Sequence, residues 1–408
     1  MINLNYGLPY MRVFYAQAVY GEEEIEAVTK VLRENSLALM DGGKVKEFEQ
    51  RVAEIFGKTH GLMVNSGSSA NTLAVASFDL DPGDEVITPA LTFATTVAPL
   101  VQQGLVPAFV DVEPDTYCID VDKIEAMITP KTRLMMIPNL IGNLPDWSAL
   151  KSLADKHGIR TIEDSADTIG STFKGAPTGS LSDISTTSFY ASHIMTGAGF
   201  GGMVTFNDED LYKRAKLLRG WGRSSSLSDE SENVEDRFDV MVDGVDYDAK
   251  FVFGDIGFNF LPSEISAAFG LVQMDRLPEF TMRREHNFQV LTDFFKDYEN
   301  WFTLPRQQVD TRTPWLAVPL IVRDDAPFTR RQLQIHFEKN GVQTRTVFTG
   351  NILRQPGFAN ISHKADPSGY PNADKVMAGG ILLGCHQGMD DTQSGYIRDV
   401  FRSFAEQH

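Results

Sequence analysis

The sequence LMMIP (134–138), followed by WSALKSLADKH (147–157) and TIE (161–163), decides the fold. The first and last of these runs have the length of a short buried strand. The middle run is amphipathic, because Leu150 and Ala154 recur at helical spacing. A strand, a helix and a second strand in this order predict a right-handed crossover between two parallel strands.

The same alternation of strands and helices runs from about residue 60 to residue 206. It predicts an α/β fold with a mostly parallel, doubly wound sheet of seven strands. The predicted strands are Gly61–Val64, Glu85–Thr88, Ala108–Asp111, Leu134–Pro138, Thr161–Glu163, Ser185–Phe189 and Met203–Phe206. Ligands of such sheets bind beyond the carboxyl ends of the strands, so we expect the functional residues in the loops that leave them.

Two domains are predicted, because 408 residues are too many for one small core. Residues 1–275 form a large domain that includes the N-terminal segment and the sheet, and residues 276–408 form a smaller C-terminal α/β domain. Helices are predicted over Glu264–Leu277 and Met282–Asp297, and a strand over Trp315–Val322.

An acidic arm is predicted at residues 223–250 of the large domain. This stretch has little apolar periodicity, and a run of charges is typical of a solvated surface loop or arm. Its acidic residues are Asp229, Glu230, Glu232, Glu235, Asp236, Asp239, Asp243, Asp246 and Asp248.

Composition excludes several classes of partner. The formal net charge of −18 disfavours nucleic acid and anionic membranes, because their phosphates repel such a surface. Cys118 and Cys385 are the two cysteines, too few for a disulfide framework or a metal cluster, and a reducing cytoplasm is expected. The stretch Met1–Gly7 lacks the pattern of a signal peptide, and no apolar run approaches membrane-spanning length.

The segment Val64–Asn71, with the sequence VNSGSSAN, follows a predicted strand and begins a helix. Glycine lets the backbone approach a ligand closely, and the free N–H groups of a helix start attract an anion. These properties allow a phosphate site at Gly67, Ser68 and Ser69. A Ser/Gly turn before a helix is most often only an N-cap, however, so the residues alone favour that alternative.

The segment SFYASH (188–193) is followed by a glycine-rich stretch that ends at Gly202. A lone histidine is usually a surface residue or a satisfied core residue, but imidazole can move protons near neutral pH. On residue type alone, His193 thus has a surface or core role as the more common alternative to a catalytic one.

Residues 188–202, together with the Val64–Asn71 turn, resemble the fold-type I, pyridoxal-phosphate-dependent sugar aminotransferases, whose fold is that of aspartate aminotransferase. In that family the sixth residue of the segment is a lysine that holds the cofactor covalently. Histidine cannot form that imine. The resemblance therefore implies that residues 1–275 hold the cofactor without a covalent bond and that His193 takes over the proton transfer of the lysine.

The resemblance also implies the residues that bind the cofactor. Ser188 matches a second phosphate ligand, and Asp164 matches the carboxylate that keeps the pyridine nitrogen protonated, with Asp167 beside it. Phe93 takes the place of the aromatic residue that stacks on the ring. Asn259 matches an asparagine that reaches the phosphate from the neighbouring subunit, which implies a homodimer with shared active sites. The alternatives are a helix cap or loop for the carboxylates, a core role for Phe93 and an exposed turn for Asn259.

Within this family, the chain resembles the C3-dehydratases of nucleotide-linked 4-keto-6-deoxyhexoses, which have histidine at the lysine position. The resemblance extends from about Met40 to Asp390. Five further stretches carry it: LIGN (140–143), RGWGR (219–223), LPEF (277–280) followed by Arg283 and Arg284, TGN (349–351) and GCHQ (384–387).

This subgroup has two branches. One resembles CDP-4-keto-6-deoxyglucose 3-dehydrase and carries a 2Fe–2S cluster, whose cysteines lie mostly in the arm after the Gly-Trp-Gly-Arg motif. Two cysteines cannot supply four thiolate ligands, and the arm here has serines at 224–226. We therefore expect no iron–sulfur cluster and no other metal. The other branch resembles GDP-4-keto-6-deoxymannose 3-dehydratase, which uses pyridoxamine phosphate and regenerates it with L-glutamate.

The resemblance thus implies the dehydration of a nucleotide-linked 4-keto-6-deoxyhexose at C3, in deoxysugar biosynthesis. Arg345, Asn351 and His386 are candidate substrate-binding residues by their position alone. Two alternatives stay open: a nucleotide-sugar aminotransferase that tolerates histidine, and a non-catalytic homologue that binds the cofactor or the sugar nucleotide. The nucleotide and the stereochemistry of the hexose are not predicted.

Overall fold

The seven strands predicted between residues 60 and 206 form one sheet in the computed structural model, which describes residues 11–34, 39–227 and 234–408. The strands of the chain are β1 His60–Val64, β2 Glu85–Pro89, β3 Val106–Val110, β4 Thr132–Pro138, β5 Arg160–Asp164, β6 Thr172–Phe173, β7 Ala176–Pro177, β8 Ile184–Ser188, β9 Gly202–Phe206, β10 Val240–Val242, β11 Val245–Tyr247, β12 Phe302–Thr303, β13 Thr311–Arg312, β14 Ala317–Val322, β15 Thr344–Arg345 and β16 Gly380–Gly384.

The large sheet has the strand order β1-β9-β8-β5-β4-β2-β3. Strands β8, β5, β4, β2 and β3 pair in parallel, and only β9 runs antiparallel to both of its neighbours. The predicted mostly parallel, seven-stranded sheet is therefore confirmed.

The helices connect these strands. They are α1 Glu22–Glu34, α2 Gly43–Ile55, α3 Gly67–Ala76, α4 Ala94–Gln102, α5 Trp147–His157, α6 Glu209–Arg219, α7 Val234–Phe238, α8 Glu264–Lys296, α9 Arg330–Lys339, α10 Pro371–Gly379 and α11 Asp391–Ala405. Helix α5 shows how the sequence sets its own boundaries. The carboxylate of Asp146 accepts the N–H groups of Ser148 and Ala149, and Gly158 ends the helix with a left-handed φ of 64°.

The C-terminal part of the chain contains a four-stranded sheet of order β12-β14-β16-β15. All pairs in it are antiparallel, and its apolar core includes Phe295, Phe302 and Phe401. Helix α8 runs through the predicted domain boundary at 275/276, so that boundary stays a prediction.

The prediction of two helices over Glu264–Leu277 and Met282–Asp297 is wrong, because α8 is a single helix that contains Pro278. Proline lacks an N–H group and costs a helix interior about 3 kcal/mol. Apolar residues on both sides of it are buried, including Ala267 and Leu291. Tertiary packing of the two halves therefore outweighs the local cost.

The acidic stretch contains more regular structure than the predicted loop or arm. Strands β10 and β11 form an antiparallel hairpin, preceded by helix α7. Asp229, Glu230 and Glu232 lie outside the described residues. The apolar side chains of Val234, Phe238, Met241 and Val245 are exposed in this single chain, so the arm offers an apolar surface as well as charge.

The topology brings the predicted functional loops to one edge of the large sheet. Strand β1 leads into α3, whose N-cap is Ser66, while β5 ends at Asp164 and β8 ends at Ser188. Since β5 and β8 are parallel neighbours, Asp164 and Ser188 leave the sheet at the same edge.

No described helix is long and apolar enough to cross a membrane.

Candidate active site

A cavity of about 440 Å³ lies at this edge of the sheet. Eight of the predicted site residues line it: Gly67, Ser68, Phe93, Asp164, Asp167, Ser188, His193 and Arg345. These residues are spread over more than 270 positions of the chain, so the fold brings the predicted site together in one place.

A backbone carbonyl group fixes the orientation and the tautomer of the His193 ring. Its Nδ1 lies 2.7 Å from the carbonyl oxygen of Ala166, and because a carbonyl only accepts, Nδ1 must carry the proton. Burial lowers the pKa of the imidazole to about 4. At neutral pH the ring is therefore uncharged, with Nδ1 as donor and Nε2 keeping a lone pair. This is the form of histidine that accepts a proton.

Asp164 is buried and well supplied with hydrogen-bond donors. Its Oδ2 accepts from Nδ2 of Asn71 and Oγ1 of Thr96, each at 2.9 Å, and its Oδ1 accepts the N–H of Ala166 at 3.3 Å. Burial raises the pKa of this carboxyl, while the three donors oppose the rise. A cation in the cavity next to Asp164 would be strongly favoured.

Asp167 lies in the same loop but has fewer partners. Its Oδ2 accepts the N–H of Ile141 at 2.9 Å, and among the described residues this is its single hydrogen bond. Burial raises the pKa of Asp167 to about 7, and the nearby charge of Asp164 adds to the rise. The cavity therefore contains two carboxyl groups with unequal support for their charged forms.

The start of α3 forms a cradle with Ser188. Ser66 caps the helix by accepting the N–H of Ser69 at 3.1 Å, which leaves the N–H groups of Gly67 and Ser68 at the cavity. A Cβ added at Gly67 would stand 2.5 Å from Cβ of Ser188, so glycine is required for this close approach. Helix N–H groups and a serine hydroxyl together suit a phosphate.

Aromatic residues form the other walls of the cavity. Phe93 is 48% exposed and meets Phe348 edge-on, with their ring centroids 5.9 Å apart. The guanidinium of Arg345, which also lines the cavity, lies 5.4 Å from the ring centroid of Tyr15. Phe93 is thus exposed enough for a planar ring to stack on it.

Four predicted site residues do not line the cavity in this chain. Ser69 hydrogen-bonds Ser66 within the helix cap, and Asn259 is exposed at the surface. Asn351 is buried and donates to Asp374 at 2.7 Å, and Nε2 of His386 lies 3.2 Å from the carbonyl oxygen of Phe14. Their assigned roles stay predictions.

Sequence reasoning did not assign Asn71, Thr96 or Tyr15 to the site, although all three line the cavity. Asn71 follows Gly67 by four residues on the same helix, and that spacing was an available signal, since such residues share a helix face. Thr96 lies in the first turn of α4, just after Phe93. Tyr15 has no signal in the sequence, because only the tertiary fold brings the N-terminal segment to the cavity.

The cavity suits a phosphorylated pyridine better than a metal ion. The described residues contain no group of three or more histidine, cysteine, aspartate or glutamate side chains that could hold a metal, and both cysteines are buried as free thiols. By contrast, a buried carboxylate, an anion cradle and an exposed aromatic face match the ring nitrogen, the phosphate and the ring of pyridoxal phosphate. The residues present fit that cofactor.

Comparisons with known proteins agree with this geometry. The model of the DegT/DnrJ/EryC1/StrS aminotransferase family matches residues 19–402. GDP-4-keto-6-deoxy-D-mannose 3-dehydratase of Yersinia pseudotuberculosis is 31% identical over 91% of this chain and 93% of its own length. GDP-perosamine synthase of Caulobacter vibrioides is 32% identical over 86% of this chain and 87% of its own length.

A crystal structure of GDP-4-keto-6-deoxymannose-3-dehydratase with a trapped PLP-glutamate geminal diamine superposes with a TM-score of 0.85. It is 26% identical, and the match covers 95% of this chain and 99% of that one. The fold class predicted from the sequence is thereby confirmed. A dehydratase and an enzyme named as a perosamine synthase are about equally similar in sequence, so overall similarity does not separate the two reactions.

Proposed function

Because this chain belongs to the DegT/DnrJ/EryC1/StrS aminotransferase family, we propose that it removes the C3 hydroxyl of a nucleotide-linked 4-keto-6-deoxyhexose. The product is a 3,6-dideoxy-4-keto sugar, and the cofactor is pyridoxamine phosphate, held non-covalently and regenerated by L-glutamate. The observation that carries this proposal is His193, an uncharged imidazole in the cavity wall where the family has a lysine.

The chain's own residues would hold the cofactor at three points. Asp164 would pair with the ring nitrogen, Phe93 would stack on the ring, and the N–H groups of Gly67 and Ser68 with Oγ of Ser188 would hold the phosphate. When bound, the cofactor supplies an amine and a protonated, conjugated ring that accepts electrons from a neighbouring C–H bond.

His193 supplies the base for that chemistry. Its Nδ1 is committed to the carbonyl of Ala166, so Nε2 is the atom that takes a proton from the cofactor carbon next to the ring. With that proton on Nε2, the C3 hydroxyl of the sugar would be the leaving group. A lysine at position 193 could bind the cofactor covalently, whereas His193 would leave it non-covalently bound and accessible to glutamate.

The proposal is tested by product analysis. The protein is incubated with pyridoxamine phosphate, L-glutamate and a panel of nucleotide-linked 4-keto-6-deoxyhexoses, and the products are identified by mass. Loss of a hydroxyl with release of ammonia supports dehydration. An amine gained at C4 supports an aminotransferase, the function suggested by the similarity to GDP-perosamine synthase. Sugars recovered unchanged, without a spectral change of the cofactor, support a non-catalytic homologue.

We also propose a homodimer that works in the cytoplasm and completes each site with Asn259 of the neighbouring copy. Two features support the dimer. Asn259 is exposed and away from the cavity of its own chain, and the β10–β11 hairpin exposes Met241 and Val245. An isolated two-stranded hairpin is marginally stable in water, so burial of these apolar side chains against a second copy of the chain would stabilise it.

Mixing two variants tests the shared site. His193→Asn and Asn259→Ala each impair every site of their own dimers, whereas the mixed dimer contains one intact site. If sites are shared, mixing after reversible dissociation restores about a quarter of the wild-type activity, the fraction expected from statistical pairing of copies. If mixing restores nothing beyond the sum of the two variants, each chain completes its own site.

A further inference from the structure

The proposed dehydration requires a proton donor, because hydroxide is a poor leaving group. His193 is uncharged before the reaction, and its Nδ1 proton is held by the carbonyl of Ala166. The cavity must therefore supply the proton from another group, or His193 must pass on the proton that it has just removed.

Hydrogen bonding distinguishes the two carboxyl groups of the cavity. Asp164 accepts three hydrogen bonds, which stabilise its charged form. Asp167 accepts one, from the N–H of Ile141 to Oδ2, and its Oδ1 has no hydrogen-bond partner among the described residues. Both carboxyls are at least nine-tenths buried and lie in one loop, so two negative charges there would repel. The proton belongs on Asp167.

The surroundings of Asp167 favour the same assignment. Six titratable or charged groups influence it or share its cavity: Asp164 from its own loop, Arg284 from α8, Tyr15 from the N-terminal segment, and His193, Tyr190 and Arg345 from the cavity lining. Two of them are cations. The guanidinium of Arg284 is committed to Gln387 and to the carbonyl groups of Trp315 and Leu316, and that of Arg345 donates to the carbonyl of Thr344 and lies over the ring of Tyr15. Burial therefore raises the pKa of Asp167 by more than the charge of Arg284 lowers it.

We infer that Asp167, in its protonated form, is the acid that donates a proton to the departing C3 hydroxyl of the sugar. This inference rests on the proposed dehydration. The C3–O bond breaks with its electron pair on oxygen, and the proton of Asp167 completes a water molecule. The electron pair of the new double bond comes from the C–H bond whose proton His193 removes. The step leaves an aspartate anion and an imidazolium, and one proton transfer through the released water restores both groups.

Asp167→Asn tests this role, because asparagine keeps the shape and can accept the hydrogen bond from Ile141 but has no acidic proton. Asp122→Asn is the matched control, since Asp122 is exposed and does not line the cavity. Two half-reactions are measured separately. Transamination is followed by the absorbance change when glutamate converts bound pyridoxal phosphate to pyridoxamine phosphate. Dehydration is followed as deoxygenated product in a single turnover.

We expect Asp167→Asn to retain transamination, which expels no hydroxyl, and to lose dehydration by about 10²–10⁴-fold. Wild-type dehydration should also slow as the pH rises above about 7, where Asp167 loses its proton. Infrared spectra of the cofactor-free protein give a second readout. Burial also raises the pKa of Glu49 and Glu163, so the carbonyl stretch of protonated carboxylic acids should persist in Asp167→Asn, but weaker by the contribution of one carboxyl than in wild type and in Asp122→Asn.

Each other outcome has a definite meaning. If Asp167→Asn loses both half-reactions equally, Asp167 serves the cofactor and not the leaving group. If the variant dehydrates as fast as wild type, His193 passes on its own proton and the inference is wrong. If wild type removes no hydroxyl from any sugar, the proposed function itself fails, and the infrared band then reports an ordinary buried carboxyl.

Discussion

Nδ1 of His193 donates its proton to the carbonyl oxygen of Ala166 at 2.7 Å, so the backbone of the Asp164–Asp167 loop sets the tautomer of the imidazole. The loop that carries both carboxyl groups thereby also orients the proposed base. This loop holds the proposed acid, Asp167, as well, so a change in the loop should affect both groups.

His193→Lys should restore covalent attachment and suppress dehydration. A lysine at this position can form an imine with the aldehyde of the cofactor, whereas the wild-type imidazole cannot. Borohydride reduction followed by peptide mass analysis should find a phosphopyridoxyl adduct at position 193 in the variant and on no lysine of wild type. A wild-type adduct would contradict non-covalent binding, and unchanged dehydration by the variant would remove the assigned role of His193.

The stability of the cofactor-free protein should depend on His193 between about pH 4 and pH 6.5. The pKa of the histidine is lowered to about 4 in the folded protein, so the unfolded chain binds more protons in this window. The free energy of unfolding therefore rises with pH across the window. A pKa difference of this size corresponds to a total rise of roughly 3 kcal/mol. His193→Asn should lose less stability than wild type on acidification.

Urea unfolding at pH 7 and pH 5 measures this difference. His363→Asn is the matched control, because His363 is partly buried like His193 but does not line the cavity. Equal acid sensitivity in wild type and His193→Asn would mean that the imidazole is hydrated and not buried.

Gly67→Ala should disrupt the anion cradle. The added Cβ would meet Cβ of Ser188 at 2.5 Å, well inside van der Waals contact. Overpacking of this kind costs about 1–3 kcal/mol, and separating α3 from Ser188 should weaken the binding of pyridoxal phosphate. Gly43→Ala is the control, because a Cβ at Gly43 meets nothing within 4 Å. Titration of cofactor absorbance measures affinity, and unchanged affinity in Gly67→Ala would place the phosphate elsewhere.

Tyr15→Phe should leave the cofactor-free protein as stable as wild type, or more stable by about 1 kcal/mol. The hydroxyl of Tyr15 is buried and has no hydrogen-bond partner among the described residues, so its removal relieves an unsatisfied group. Tyr117→Phe provides a matched comparison. Tyr117 is also buried, with a hydroxyl that pairs with no residue in the described ranges, but it does not line the cavity. A clear loss of stability in Tyr15→Phe alone, measured by urea unfolding, would reveal a partner for its hydroxyl.

Much of the fold follows from local patterns in the sequence. The seven strands were predicted to within a few residues, because each is a short run of buried residues between turn or helix signals. The helix signals are equally local: Asp146 begins α5 and Gly158 ends it. The continuity of helix α8 through Pro278 was not predicted, because it depends on tertiary packing that local signals do not encode. Helix propensity gives the free-energy cost of proline in a helix, but not the tertiary contacts that offset this cost.

The site was predictable where its residues lie at or just beyond the carboxyl ends of strands. Asp164 and Ser188 end β5 and β8, His193 lies five residues further on, and all three line one cavity. Tyr15 could not be predicted, because its place depends on a long-range contact. Tyr15 is fixed there by two contacts: its own N–H donates to Oε1 of Gln343, and the neighbouring Val13 forms a β-bridge with Val342.

The N-terminal segment also constrains when the catalytic pocket can first exist. The backbone of Tyr15 lies close to Gly384: a Cβ added at Gly384 would stand 2.7 Å from the carbonyl oxygen of Tyr15. One of the first described residues therefore packs against β16, near the end of the chain. During synthesis, nearly the whole chain must leave the ribosome before Tyr15 can take its place, so the complete lining of the cavity forms only after translation has almost ended.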